Sequence, residues 1–156
     1  MEYFSIMAQL DDKDYRILTL LKENARLTTG EIAKELDIAQ TTIHNRIKKM
    51  RESGVIKRFT VDLDRKMTGR GLVAYILCTV SYRTTRGQKI NQFDIAQLIK
   101  NLPEVEDVSI VTGEIDIIVK VSLGDVDALN NFVITKLRNI DGIEKTVTSV
   151  VLAEVN

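Results

Sequence analysis

Two nine-residue segments, LIKNLPEVE at residues 98–106 and KLRNIDGIE at residues 136–144, align at an offset of 38 positions. Each leads from the end of a helical pattern into an apolar run, so the second half of the chain is a repeated unit. Leu72 to Tyr82 is a mostly apolar strand, followed by a loop over Thr84 to Gln88. Ile95, Leu98, Ile99 and Leu102 mark a helix closed by Pro103, and a second strand runs from Val105 to Thr112. Thr112, Gly113 and Glu114 make a tight turn into a third strand, Ile115 to Val121, where apolar residues fall on alternate positions. Gly124 and Asp125 open a second helix with Leu129, Val133, Leu137 and Ile140 inward, and Gly142 leads into a last strand from Ile143 to about Val155. Strand, helix, strand, twice over, is the ferredoxin-like βαββαβ plan. Right-handed crossovers put both helices on one face of a four-stranded antiparallel sheet. The other face is not wholly polar and the chain holds nothing left to cover it, which points to self-association.

The first half follows a helical period instead. A first helix runs from Asp11 or Asp12 to about Asn24, burying Leu10, Ile17, Leu18 and Leu21. Asp11, Asp12 and Asp14 lie near the positive end of its dipole. Thr28 with Glu31 three residues on, ahead of Ile32, Ala33 and Leu36, is a capping-box start for a second helix. After a break at residues 37–39, Ile43, Ile47 and Met50 give the inner stripe of a third. Its opposite side holds Thr41, Asn45 and Lys48, flanked by Thr42, His44 and Lys49, with Gln40 exposed in the first turn. Amides, hydroxyls and cations on a protruding helix read base edges and hold phosphates, which makes this a recognition helix. Gly54 stops it, and Val55 to Leu63 reads as a strand, suggesting a winged helix-turn-helix.

An ordinary solvated face would show a similar polar stripe, so charge has to decide. The whole chain is neutral, with 22 Lys and Arg against 22 acids, yet residues 39–71 hold nine Lys and Arg against three acids. A basic block of this kind supplies the salt-sensitive, sequence-independent part of nucleic-acid affinity. Gln40, Thr41, Thr42 and Asn45 are the expected base contacts, with His44 a further candidate. Lys48, Lys49, Lys57 and Arg58 are the expected phosphate contacts. Two glycines at the end of the basic block place a boundary near residues 67–71. The expected layout is an α+β chain: a winged helix-turn-helix over residues 1–60, a strand-like linker over 61–71, and a ferredoxin-like domain over 72–156.

Other chemistries are poorly supplied. One cysteine, Cys78, and one histidine, His44, cannot make the usual zinc cage, and no internal disulfide can form. Cys78 sits in an apolar run, where a small buried hydrophobe is expected. No apolar run reaches 18 residues, and residues 1–9 lack the pattern of a signal peptide, so a cytoplasmic protein with no membrane partner is expected.

Over nearly its whole length the chain resembles the Lrp/AsnC, or feast/famine, family of transcription regulators. The resemblance is carried by LDDKDYRIL at residues 10–18, LKENAR at 21–26, Glu31 to Ala33, Thr42 with Ile43, Arg46 with Ile47, Gly54 to Ile56, and VTGEID at 111–116. It implies a DNA-binding regulator with an amino-acid-sensing domain of RAM or ACT type, needing no cofactor beyond its effector. Dimers that assemble further, commonly into octamers, are implied as well. The family binds its small amino acid between dimers, near the turn joining the second and third strands and the last strand of a neighbour. On this sequence the turn corresponds to Gly113, Glu114, Ile115 and Asp116, and the strand to Thr146 and Thr148. A carboxylate suits an α-ammonium, and turn amides and hydroxyls suit an α-carboxylate. The chain departs from the family twice: Ile115 stands where many members have an aromatic, and Ala39 where a serine usually starts the recognition helix.

Two other functions share this plan. Decarboxylases acting on sirohaem are built on it, but they would need cationic or imidazole groups for many carboxylates. The sensor-like part, residues 72–156, has eight Lys and Arg against eleven acids and no histidine. A ligand-blind architectural protein that compacts DNA is the other.

Overall fold

The computed structural model describes residues 10–81 and 90–154. The chain forms two compact units, one ending at Asp62 and the other beginning at Leu63.

The first unit is built from α1 (Asp12–Glu23), α2 (Thr29–Leu36) and α3 (Gln40–Glu52) around Ile17, Leu21, Ile32, Leu36, Ile43 and Met50. Two capping boxes start it. At α1 the Asp11 and Asp14 side chains each accept the other's backbone N–H, and Thr28 and Glu31 do the same at α2. Asp37 ends α2 in the left-handed region, at φ 54°, which turns the chain toward α3. The strand expected over Val55 to Leu63 is absent. Val55 and Ile56 pack on the trihelical core, and the Ile56 N–H donates to the Met50 carbonyl. Beyond them the segment is exposed, Phe59, Val61 and Leu63 included. Its apolar alternation suits a strand, but a strand needs a partner ladder, and no described strand of the first unit offers one.

The second unit contains β1 (Leu72–Val80), α4 (Gln92–Lys100), β2 (Val105–Ile110), β3 (Ile117–Leu123), α5 (Val126–Asn131) and β4 (Ile143–Val150). The sheet order β2-β3-β1-β4, antiparallel throughout, is the ferredoxin-like order. Ala74, Ile76, Cys78 and Val80 of β1 alternate into the core beneath the helices, as do Ile117, Val119, Val121 and Leu123 of β3. Burial there pushes the Cys78 thiol up to about 12, so it packs as a hydrophobe.

Several expectations change in detail. Leu98 is 54% exposed and lies outside the buried stripe, because it sits roughly 100° around the helix from the mean direction of Ile95, Ala96 and Ile99. The strand ends expected at Thr112, Ile115 and Val155 draw in to Ile110, Ile117 and Val150, while Tyr82, the loop of residues 84–88 and residue 155 lie outside the described residues. After α5 the chain takes a π-helical turn over Phe132–Leu137, with the Arg138 N–H donating to the Val133 carbonyl. Leu129, Phe132, Val133 and Leu137 are all buried along this stretch, at the i, i+3, i+4 and i+8 spacing of an ordinary helical stripe.

The repeated joints differ. At the first, Glu104 pairs through Oε1 with Lys136; burial pushes its carboxyl up, but the lysine, the Glu104 backbone N–H and the Arg70 charge together hold it below the ordinary value. At the second, Gly142 has φ 97°, and a Cβ there would lie 2.7 Å from Ile95 Cδ1.

The sheet face away from the helices is not bare. Arg65 Nε and Nη2 grip both oxygens of Glu106 at 2.8 and 3.1 Å, and its Nη1 reaches Glu154 at 3.0 Å. Lys120 joins both acids and lies 5.7 Å over the Tyr75 ring. The Ser122 hydroxyl donates to the Arg70 carbonyl. Arg65 to Arg70, within the 61–71 segment expected to form a strand-like linker, thus fold onto one end of this face, leaving Tyr75, Leu77, Ile118 and Val147 in the remainder.

Candidate functional site

Helix α3 is placed by its apolar side and by two polar ties. Ile43 is fully buried and Met50 nearly so, while Ile47 is half-buried. Ala39 provides no side-chain cap, so the Ala39 carbonyl alone receives the first-turn amides of Thr42 and Ile43. Gln40 Nε2 donates to Thr29 Oγ1 at 3.1 Å, joining α3 to α2. Arg46 Nη1 donates to Asp11 Oδ1 and to Asp14 Oδ1, both at 2.8 Å, joining α3 to α1. Asp11 is held below its ordinary carboxylate value, first by the Asp14 N–H and then by Arg46.

The outward face carries the residues expected on it. Gln40, Thr41, His44, Asn45, Lys48 and Lys49 are exposed and Thr42 is half-buried. Among the described residues, the side chains of Thr41, Thr42, His44, Asn45 and Lys49 enter no hydrogen bond or ion pair. Lys48 touches Glu52 at 3.9 Å across a solvated helix turn, a contact weak enough to be exchanged for a phosphate. Lys57 and Arg58 are exposed in the segment after α3 and unengaged among the described residues. Thr29, His44, Lys48, Arg51 and Lys57 border a depression of about 630 Å³ on one flank of α3. Thr42, Asn45, Arg46 and Lys49 border a smaller one of about 360 Å³ on the other, beside Asp11 and Asp14.

Two cations of the basic block are neutralised within their own units, Arg46 by Asp11 and Asp14 and Arg65 by Glu106 and Glu154. Arg51 is a cation on the outward face that the contact assignment missed. The signal for it was present, since His44, Lys48 and Arg51 follow one another at i, i+4 and i+7.

The turn between β2 and β3 presents a different arrangement. The Val111 N–H donates to the Asp116 carbonyl, closing the turn, and Gly113 takes φ 125° at its tip. Only glycine adopts that value without strain. Glu114 is exposed and Ile115 half-buried. Asp116 is occupied: Oδ2 accepts the Val80 N–H at 2.8 Å, Oδ1 accepts Gln92 Nε2 at 3.3 Å, and its own N–H donates to Cys78. Thr146 sits across β1 from Ile117, through their shared partner Cys78, and its Oγ1 accepts Arg138 Nε at 3.1 Å. Thr148 is exposed two residues further along β4. One chain therefore brings Gly113 to Asp116 together at one sheet end and sets the two threonines two strands away. Among the described residues no group of three or more metal-ligating side chains forms, and no helix is long and apolar enough to cross a membrane.

With this geometry in view, the comparisons with known proteins are informative. A family model described as the Lrp/AsnC ligand binding domain matches residues 77–156, and one described as winged helix-turn-helix DNA-binding matches residues 10–57. The chain is 38% identical over 141 residues to an uncharacterised HTH-type transcriptional regulator of Pyrococcus horikoshii, covering 90% of this chain and 91% of that one. It superposes on the structure of E. coli AsnC with a TM-score of 0.79 at 30% identity, covering 93% of each chain. A Neisseria meningitidis transcriptional regulator solved in complex with L-Met gives a TM-score of 0.84 at 27% identity, covering 94% of this chain and 92% of that one.

Proposed function

The chain belongs to the Lrp/AsnC family of transcriptional regulators, and from that premise we propose that it recognises particular DNA sequences through α3, with an affinity or assembly set by a small amino acid. The observation that carries the DNA reading is the outward face of α3, where the Thr41 hydroxyl, His44 imidazole, Asn45 amide and Lys49 ammonium stand exposed without partners among the described residues. Side chains already committed inside a fold cannot bond to a base edge without a cost, and these are not committed. Thr41, Thr42, His44 and Asn45 contact bases, with Gln40 reaching from its tie to Thr29. Lys48, Lys49, Lys57, Arg58 and Arg51 contact phosphates.

The effector reading is supported by the match to the ligand-binding domain and by the L-Met complex of the Neisseria relative. Asp116 already holds β1 and α4, so the free carboxylate for an α-ammonium is Glu114. The amides around Gly113 receive the α-carboxylate, while Ile115 selects an apolar or small side chain. Thr146 and Thr148 belong to a neighbouring copy at the same site, which requires dimers assembled into a larger ring such as an octamer. The relatives are regulators, and that favours this reading over a decarboxylase.

The test is fluorescence anisotropy on DNA from just upstream of the protein's own gene, against a shuffled fragment, with each amino acid in turn and light scattering on the same samples. Preference for the first fragment, altered by one or a few amino acids, is the expected result. Equal binding of both fragments would leave an architectural protein. Preference untouched by every amino acid would remove the effector residues from the site.

A further inference from the structure

Arg46 lies in the basic block yet has a use inside the fold. The two hydrogens of its Nη1 go to two different carboxylates, Asp11 and Asp14, each at 2.8 Å. Neither carboxylate is free to swing. Asp14 is only 8% exposed, and the two aspartates are locked together by the capping box that starts α1. One cation with two acids leaves the cluster net negative, which is the wrong sign for a phosphate contact. The cluster is placed, however, where it governs contacts. Thr42 precedes Arg46 by four residues, Asn45 by one, and Lys49 follows by three, and all border the depression of about 360 Å³ that this ion pair also lines. Helix α3 also has no N-cap side chain, so beyond its apolar stripe Gln40 and Arg46 are, among the described residues, the side chains that tie it to other helices.

We infer that Arg46 is a positioning residue for DNA recognition: its guanidinium locks α3 to the first turn of α1, so that Thr42, Asn45 and Lys49 meet the duplex in one fixed orientation. Base-edge hydrogen bonds depend on that orientation, whereas phosphate attraction tolerates a tilted helix. Arg46 therefore sets discrimination between sequences and leaves general DNA affinity nearly alone.

This rests on the reading of DNA by α3 proposed above, and the experiment separates the two. Wild-type protein first selects a fragment from a random double-stranded library, and its preference for that fragment over a shuffled one is measured across salt concentrations. No preference in the wild type would overturn the reading of α3 and the inference with it. With preference established, Arg46→Gln reduces it roughly tenfold or more while the salt slope stays unchanged. Lys49→Gln instead weakens both fragments and lowers the slope by about one. Arg46→Lys keeps a charge between the two carboxylates and restores part of the preference. Asp14→Asn retains the cap acceptor and removes no cation, so it covers the case of a misfolded Arg46 variant. It reduces preference, whereas a phosphate-binding Arg46 freed from its partner would tighten both fragments alike. A slope lowered by about one in Arg46→Gln with preference intact, or unchanged preference in Asp14→Asn, overturns the inference.

Discussion

The outward face of α3 and the turn between β2 and β3 carry similar chemistry, hydroxyls, amides and charged groups on exposed positions, but they hold it differently. On α3 the side chains of Thr41, His44, Asn45 and Lys49 are unengaged, and the helix beneath them is fastened by Ile43, Met50, Gln40 and Arg46. On the turn the most central acid, Asp116, is itself the fastening, joining β3 to Val80 at the end of β1 and to Gln92 at the start of α4. A binding surface can thus be supported from behind, by residues that do not touch the ligand, or be part of its own support. Substitutions in the first kind of surface change binding without stability. In the second kind they change both.

The largest effect that would test this contrast comes from behind α3. Ile43→Ala removes a fully buried side chain and lowers the stability of the trihelical unit by about 3 kcal/mol, read from urea unfolding followed by helical circular dichroism. Asp116→Ala leaves the Val80 N–H without its acceptor and costs the sheet unit about 2 kcal/mol, whereas Glu114→Ala on the same turn leaves its denaturation midpoint in place. Equal midpoints for the two turn variants would break the comparison. Ala39→Ser supplies the missing cap and stabilises the trihelical unit by about 1 kcal/mol. A smaller effect is pH-dependent. The hydrogen bond from Arg65 holds the Glu106 carboxyl below its ordinary value, so its stabilisation is present above the unfolded pKa and is lost as pH falls through the folded one. The difference in stability between wild type and Glu106→Gln is therefore greatest near neutral pH and shrinks through the acid range.

The parts that could be read from the sequence were those with a local period. The Thr28 and Glu31 spacing announced the α2 cap, the stripe of Ile43, Ile47 and Met50 oriented α3, and the 38-residue repeat implied the sheet plan. What escaped was long-range or aperiodic. Arg46 meets Asp11 and Asp14 across 35 and 32 positions, and Arg65 meets Glu106 and Glu154 across 41 and 89, with no pattern linking either set. The π turn over Phe132–Leu137 has no announcement in the apolar pattern, since Leu129, Phe132, Val133 and Leu137 keep the spacing of an ordinary helix. Val55 to Leu63 has a strand's alternation without a partner, and sequence cannot supply the partner.

The joints at Glu104 and Gly142, equivalent under the repeat, show how far the two halves of the sheet unit have diverged. One requires an acid to meet Lys136, and the other admits no side chain at all against Ile95 and Ile90. Exchanging them would press a carboxylate into two isoleucines and leave a lysine facing nothing. The internal pseudo-symmetry is thus frozen in one direction: a duplicated half could no longer stand in for its twin, and each end of the unit has a chemical identity of its own.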